Sequence, residues 1–129
     1  MNKTAINPWS WSLQFGFSQG QLLEGHKRVL FCAGQASIDE NGSPTHAGDI
    51  RAQIEETMDC LETVLGEADM TLANIVRLII YTTDMDGMLQ NFDALGKRMG
   101  DVNPAQTLLG VPRLAFPEMM VEIEATAVA

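Results

Sequence analysis

Residues 76–83, VRLIIYTT, constrain the fold more than any other stretch of this chain. The stretch is apolar at nearly every position between Arg77 and Tyr81, and its β-branched and aromatic residues favour a strand over a helix. Apolar side chains on both sides of a strand indicate that both faces are buried. The rest of the chain, or a partner, must therefore cover two faces of the sheet that contains this strand.

Two segments have the period of an amphipathic helix. From Asp49 to Ala68 apolar residues recur every three or four positions, acidic residues occupy the other faces, and Asp49 suits the N-cap. The apolar stripe consists of Ile50, Ile54, Met58, Leu61, Leu65 and Ala68. A shorter stripe runs from Met88 to Met99, and Gly100 follows where a glycine commonly ends a helix. Each predicted helix has one apolar face, so the two helices can cover only one face of a sheet.

Further strands are predicted before and after these helices. Residues 29–35 and 119–128 are apolar runs of strand length, while residues 13–19 and 21–25 are separated by Gly20 and are predicted to form a hairpin. The order of elements predicts an α+β fold with a sheet of five or six strands and two helices on one face. The uncovered face predicts an oligomer with ligand sites at the subunit junctions.

Composition limits the classes of function. The 129 residues suit a single domain, residues 1–129, with a core of its own. Seventeen acidic and eight basic residues give a formal charge of −9 without a basic stripe, which disfavours nucleic acid binding. No apolar window approaches the length of a membrane span, and the N-terminus has no apolar signal core. We expect a cytoplasmic protein that binds neither nucleic acid nor membranes.

No motif for a metal or an organic cofactor is present. Cys32 and Cys60 lie far apart, without a CxxC pattern or a histidine at ligand spacing, and are predicted to be buried free thiols in a reducing compartment. The chain contains no glycine-rich phosphate loop, no GxSxG and no HExxH. We therefore expect no cofactor and no metal.

Two glutamates in the last predicted strand are candidates for chemistry. Glu122 and Glu124 are two residues apart, so a strand directs both side chains to the same face. That face is either solvated or ion-paired, or one of the carboxylates lies in a cleft and positions or deprotonates a water.

A glutamine and an aromatic cluster are candidates for ligand binding. Gln106, in NPAQT, has an amide that can donate and accept hydrogen bonds; it either fixes the loop before a strand or contacts a ligand. Trp9, Trp11 and Phe17 either pack against one another or form the flat walls of a small-molecule pocket.

Five segments, in order, resemble the Rid superfamily of reactive intermediate deaminases, also called the YjgF family and often labelled L-PSP endoribonuclease. They are AGQ (33–35), HAGDIRAQ (46–53), NIVRLIIYTTDM (74–85), NPAQTLLGV (103–111) and VEIEATAV (121–128). The resemblance extends from about residue 13 to the end of the chain. It implies a fold similar to chorismate mutase, in which a mixed sheet has two helices on one face and three chains assemble as a homotrimer with three intersubunit clefts.

The resemblance also implies roles for individual residues. In active members a 2-imino or enamine acid binds in the cleft, an arginine grips its carboxylate, and a glutamate of the last strand helps water attack the imine carbon. Glu122 matches that glutamate, whereas Gln106 stands at the position of the arginine. Phe17 replaces a frequent tyrosine, Ala33 replaces a frequent serine, and Asn91 aligns with a helix asparagine only if one residue is skipped.

The loss of the arginine predicts a changed substrate preference. A charge-assisted pair with a carboxylate is worth roughly 1.5 to 3 kcal/mol, and a neutral amide cannot replace it. The pattern resembles Rid subgroups that lack this arginine. A cleft lined by Phe17, Gln106, Leu108 and Trp9 or Trp11 would favour a less anionic, aromatic ligand.

The resemblance therefore implies a hydrolase or deaminase of a small enamine, imine or related electrophile. One alternative is a non-catalytic trimer that binds a small molecule or a partner. The other is an endoribonuclease, which the charge of −9 disfavours.

Overall fold

The computed structural model describes all 129 residues as six strands, three α-helices and two short 3₁₀ turns. The strands are β1 (Asn2–Ile6), β2 (Gly20–Glu24), β3 (Val29–Ala36), β4 (Ile75–Thr82), β5 (Ala105–Gly110) and β6 (Val121–Val128). The helices are α1 (Ile50–Glu67), α2 (Met85–Gln90) and α3 (Phe92–Met99), and the 3₁₀ turns are Trp11–Phe15 and Leu72–Asn74. The predicted α+β class is confirmed, but the predicted single sheet of five or six strands is wrong, because the strands form one sheet of four and a separate sheet of two.

A four-stranded mixed sheet with the order β3-β6-β4-β5 forms the centre of the molecule. β6 is antiparallel to β3 and β4, and β5 is parallel to β4. On one face of β4, Leu78 and Ile80 are fully buried, whereas on the other face Arg77 is exposed and Ile79 and Tyr81 are half-buried. The predicted burial of β4 on both faces therefore holds for one face only within a single chain.

Helix α1 forms where the spacing of apolar residues predicts it. Asp49 is the N-cap, and its carboxylate accepts a hydrogen bond from the backbone N–H of Ala52 at 3.1 Å. The stripe from Ile50 to Leu65 is buried, and the helix packs on β3 and β6. This packing covers one face of the sheet and leaves the other, which we call the open face, without a layer from the same chain.

The second predicted helix is in fact two helices. α2 and α3 meet at Asn91, whose side-chain amide donates to the carbonyl of Gly87 at 2.9 Å and so satisfies an acceptor at the end of α2. Met88, Leu95 and Met99 are nevertheless all buried. The predicted apolar face is confirmed, and the predicted continuity of the helix is wrong. None of the three helices combines the length and the apolar composition that crossing a bilayer requires.

The predicted N-terminal hairpin is wrong in its first strand. β2 pairs with β1, and these two strands form a separate two-stranded sheet. Residues 13–19 contain the end of a 3₁₀ turn, which stops at Gly16 with a left-handed φ of 79°. The N–H of Ser18 then donates to the carbonyl of Pro104 at 3.0 Å, beside β5. A tertiary contact with β5 thus overrides the local alternation that favoured a strand.

Both cysteines are free thiols, as predicted. Cys32 is buried in β3 and Cys60 is half-buried in α1. Desolvation raises the pKa of both thiols, so neither has the lowered pKa that is typical of a reactive cysteine.

Candidate functional site

A cavity of about 320 Å³ lies between β5, the helices α2 and α3, and the first 3₁₀ turn. Its lining consists of Phe15, Phe17, Leu89, Phe92, Gln106 and Leu108. Five of these six side chains are hydrophobic, so Gln106 provides the only polar side chain. The volume lies near the lower end of the roughly 300 to 1,000 Å³ found for ligand pockets, which suits a small molecule.

Strand β5 directs Gln106 and Leu108 towards the helices. Gln106 is in register with Leu78 and Leu108 with Ile80, both of which belong to the core under the helices. Gln106 therefore lies within a strand, which corrects the suggestion that it fixes a loop before one. Its amide forms no hydrogen bond within the chain, so its N–H groups and its oxygen can all serve a ligand.

The segment that carries Phe17 is tied to the turn before β5. The carbonyl of Asn103 accepts hydrogen bonds from the Ser18 hydroxyl at 2.8 Å and from the Gln21 amide at 3.0 Å. Asn103 itself has a φ of 44°, a left-handed conformation that asparagine adopts more readily than most residues. These contacts hold Phe17 beside Gln106, although 89 positions of sequence separate them.

The two tryptophans do not line the cavity. Trp11 packs edge-to-face against Phe17, with ring centroids 5.8 Å apart, and against Phe15 at 6.4 Å. Trp9 is 62% exposed and lies outside the lining. Trp11 therefore fits the alternative in which the aromatic residues pack against one another, since it contacts Phe15 and Phe17. The role of Trp9 and Trp11 as walls of a cleft between subunits stays a prediction, because neither lines the cavity of a single chain.

Three lining residues were missed by the sequence reasoning. The sequence pattern predicts a strand at Phe15 and indicates only a helix stripe at Phe92. Leu89 lies outside that stripe and is 57% exposed. An exposed leucine next to an amphipathic stripe is the one signal that could have pointed to the cavity, because it extends the apolar face beyond what the core needs.

The candidate catalytic carboxylate lies on the open face, opposite the cavity. Glu122 is in register with Tyr81, whereas Gln106 is in register with Leu78, and these two β4 residues point to opposite faces. A single chain therefore does not bring Glu122 and Gln106 together. The carboxylate of Glu122 lies over β3, where a Cβ on Gly34 would come within 2.6 Å of Oε2. The absence of a side chain at Gly34 leaves the space that the carboxylate occupies.

Glu124 shares the open face with Glu122, as the strand period predicts. It accepts a hydrogen bond from the hydroxyl of Tyr81 on the neighbouring strand. This hydrogen bond is the main reason that the pKa of Tyr81 is raised. Glu124 therefore has a hydrogen-bond partner within the chain, which leaves the Glu122 carboxylate available to bind water or a ligand.

Ala33 and Asn91 also lie outside the cavity lining. Ala33 is exposed in β3, at the bulge between Cys32 and Gln35. Asn91 precedes the lining residue Phe92, but its amide nitrogen is engaged by a carbonyl of α2. The ligand-binding roles of Ala33 and Asn91 stay predictions, and they require the approach of a second chain.

Comparison with known proteins establishes the family. The profile described as Endoribonuclease L-PSP matches residues 14–129. The chain belongs to the Rid/YjgF/L-PSP superfamily. A RutC family protein from Pyrococcus horikoshii is 29% identical to this Rid protein over 122 residues, which is 95% of this chain and 87% of that protein. The mitochondrial protein mmf2 of Schizosaccharomyces pombe is 28% identical over 130 residues, with coverage of 100% and 98%.

A solved structure of the same family has the same fold. YyfB from Yersinia pestis, a Rid family protein of unknown function, superimposes with a TM-score of 0.88 at 33% identity, and the match covers 100% of both chains. The family predicted from the five sequence segments is thus confirmed.

Proposed function

We propose that this Rid protein hydrolyses a small enamine, imine or related electrophile, which binds at Gln106 while Glu122 of a neighbouring subunit orients the attacking water. The observation that carries the proposal is one unpaired amide in an otherwise apolar cavity. Such a cavity, with a single directing polar group, is typical of a small-molecule site. Membership of the Rid family supports a general Rid-like function.

The separation of Gln106 from Glu122 supports an intersubunit site. The two side chains lie on opposite faces of one sheet, so they can act on one ligand only if the open face of one subunit approaches the cavity of another. Phe31 on the open face is 79% exposed, which is unusual for an apolar ring on a central sheet and suits contact with a second chain. We therefore propose a homotrimer with a cleft at each junction, in the cytoplasm.

The proposed reaction needs only water. Gln106 binds a polar atom of the substrate, and Glu122 accepts a proton as the water oxygen attacks the carbon of the C=N bond. Glu122 returns this proton to the nitrogen, which gives a neutral tetrahedral intermediate. The hydroxyl proton of that intermediate is then transferred to the same nitrogen, and ammonia leaves as the C–N bond breaks and the carbonyl forms. An enamine enters the same sequence after it gains a proton on carbon and loses one from nitrogen, which converts it to the imine. The overall change is imine plus water to carbonyl plus ammonia.

A second candidate function is ligand binding without turnover. The observation that favours it is the absence of any charged or nucleophilic side chain from the cavity lining. This function predicts tight binding of a small molecule and no product. An endoribonuclease is the least supported, because a chain with a charge of −9 repels a phosphate backbone. RNA cleavage that survives repurification and disappears on mutation of Glu122 would favour it.

Replacement of Glu122 by glutamine tests the hydrolase. The substitution removes the proposed base and keeps the shape, so ammonia release from freshly generated imines and neutral enamines should fall by about 10² to 10⁴. Glu124→Gln is the matched control, since it lies on the same face and its new amide can still accept a hydrogen bond from Tyr81. Its rate should stay within about threefold of the unmodified protein. Equal losses in both variants, or none in Glu122→Gln, contradict the proposal.

Replacement of Gln106 by arginine distinguishes the two functions. If the unmodified protein releases ammonia from 2-imino acids and needs Glu122 to do so, Gln106 is a tolerated substitute for arginine. If only Gln106→Arg is active on these anionic substrates, the site keeps the chemistry but takes a different ligand. Ligand binding without ammonia release in any variant favours the non-catalytic function.

A further inference from the structure

We infer that the cavity selects an uncharged aromatic molecule that carries an amide or carbonyl group, and that Phe15 forms a wall of the cavity that this ligand needs for tight binding. The inference names the ligand class for the site of the proposed function. It rests on that proposal only for the position of the ligand, at Gln106, and does not require turnover.

Aromatic side chains reach the cavity from two separate elements. Phe15 and Phe17 belong to the N-terminal segment, and Trp11 packs edge-to-face against both rings. Phe92 is the first residue of α3. Aromatic rings prefer offset-stacked or edge-to-face contacts with other rings. Phenylalanines from both elements therefore offer a flat ring more favourable contacts than an aliphatic ring of similar size can make.

Gln106 is free to bind this ligand, in contrast to the buried glutamine of α1. Gln53 donates to the carbonyls of His46 and Glu118 at 3.1 and 2.9 Å, and its oxygen accepts from the N–H of Met120 at 2.8 Å. Gln106 makes no such bonds within the chain, yet it is the only polar side chain in the lining. A primary amide offers donors and an acceptor side by side, which an amide or carbonyl group of a ligand can match.

The two cations nearest to Phe92 along this face already pair with a carboxylate, that of Asp93. Arg51 donates through its two terminal nitrogens to the two carboxylate oxygens of Asp93, at 2.9 and 2.8 Å. Lys97 lies 3.5 Å from the same carboxylate. Arg51 also holds the pKa of Asp93 well below its usual range, so the carboxylate stays ionised. A carboxylate that enters the cavity would lose its water and gain no charged partner.

A second cavity, of about 460 Å³, adjoins the first. It shares Phe15 and Phe92 with the first cavity, and its lining is more polar. Phe15 lines both cavities, so its ring lies between the two spaces. Removal of this ring joins the two spaces and takes away one wall of the first.

Benzamide and benzoate test the inference directly, because they match in shape and differ in charge. In calorimetric titrations of the full chain, benzamide should bind at least about 10-fold more tightly than benzoate. Cyclohexanecarboxamide, which keeps the amide and lacks the flat ring, should bind roughly 3-fold more weakly than benzamide. Gln106→Arg should reverse the order of benzamide and benzoate, because a guanidinium pairs with the carboxylate.

Phe15→Ala tests the role of the wall. The variant should bind benzamide at least about 5-fold more weakly, because a face of the cavity is lost. Phe116→Ala is the control, since Phe116 is similarly exposed, at 44%, but lies in the loop before β6 and outside the cavity. Its affinity for benzamide should be unchanged.

Several results would overturn the inference: benzoate binding as tight as benzamide binding, no benzamide binding at millimolar concentration, or equal losses in Phe15→Ala and Phe116→Ala. The experiments distinguish a failure of the proposed hydrolase activity from a failure of the proposed ligand class. A preference for benzamide without ammonia release from any substrate removes the hydrolase and supports the ligand class. Turnover of anionic 2-imino acids together with a preference for benzoate removes the ligand class and supports the hydrolase.

Discussion

Tyr81 and Glu124 form a polar pair on the open face of the sheet. The hydrogen bond to Glu124, followed by desolvation and the charges of Glu124 and Glu122, raises the pKa of Tyr81 above 10.0. Tyr81 is the only tyrosine in the chain, so a titration of tyrosinate absorbance reports on this residue alone. We expect a midpoint above 10.0 in the native protein and a lower midpoint in Glu124→Gln, where the acceptor carries no charge.

The sign of the matching stability change follows from the raised pKa. The folded state holds the hydroxyl proton more tightly than the unfolded state does, so the stabilisation is present below the unfolded pKa and is lost as the pH rises through the folded value. Thermal unfolding should therefore show the native protein losing more stability than Glu124→Gln above a pH of about 10. Identical Tyr81 titration midpoints and identical pH profiles of thermal stability in the native protein and Glu124→Gln would contradict the effect of Glu124 on Tyr81.

At the scale of residues, the sequence predicts which side chains lie on the same face of a strand better than it predicts which side chains contact one another. The two-residue period placed Glu122 and Glu124 together, and the register confirms it. The period contains no information on the partner strand, so the bond from Tyr81 could not be foreseen. In the same way, the contact of Phe17 with the Gln106 region depends on hydrogen bonds from Ser18 to the turn before β5, which no local pattern encodes.

At the scale of elements, Gln53 connects α1 to the beginning of the strand that carries Glu122. Its side chain is fully buried, and its three hydrogen bonds fix backbone groups of His46, Glu118 and Met120. Gln53→Leu keeps the size and leaves these groups unpaired, and an unpaired buried polar group costs about 1 to 3 kcal/mol. We expect the free energy of unfolding to fall by roughly 2 to 4 kcal/mol.

Urea denaturation at one fixed protein concentration measures this loss, because the stability of an oligomer depends on concentration. Gln90→Leu is the matched control, since Gln90 is exposed at the end of α2 and its side chain makes no hydrogen bond. Its effect should stay within about 0.5 kcal/mol. A similar small effect for Gln53→Leu would show that the three hydrogen bonds do not hold the start of β6.

The predictions of helices and strands succeeded where side-chain burial follows the local sequence period. They failed where contacts between residues distant in sequence determine the structure. Helix α1 has a stripe long enough to define both ends, and its bounds agree with the sequence to within a residue. β1 could not be predicted, because all of its residues are exposed and its only pairing is with β2. The division of the second helix at Asn91 likewise depends on a side-chain bond to α2 rather than on periodicity.

At the scale of the whole molecule, the positions of Gln106 and Glu122 make the proposed catalysis depend on the proposed assembly. The six residues that line the cavity at Gln106 belong to one chain, whereas Glu122 lies on the other face of the sheet. Ligand binding should therefore survive in an isolated subunit, and hydrolysis should not. The sequence predicted the uncovered face from helix count and strand composition, but it could not separate the two groups, because the faces of β5 and β6 follow from strand register.

Phe31→Lys tests this connection, because it places a charge at the most exposed apolar ring of the open face. We expect light scattering to change from three times the 14.1 kDa chain mass to the mass of a single chain, since burial of an unpaired ammonium at an interface is unfavourable. Thr63→Lys adds the same charge on the exposed side of α1 and should remain a trimer. The separated Phe31→Lys chain should still bind benzamide while its ammonia release falls as far as that of Glu122→Gln. An unmodified protein with the mass of one chain would contradict the trimer, and a single-chain variant that retains turnover would contradict the shared cleft.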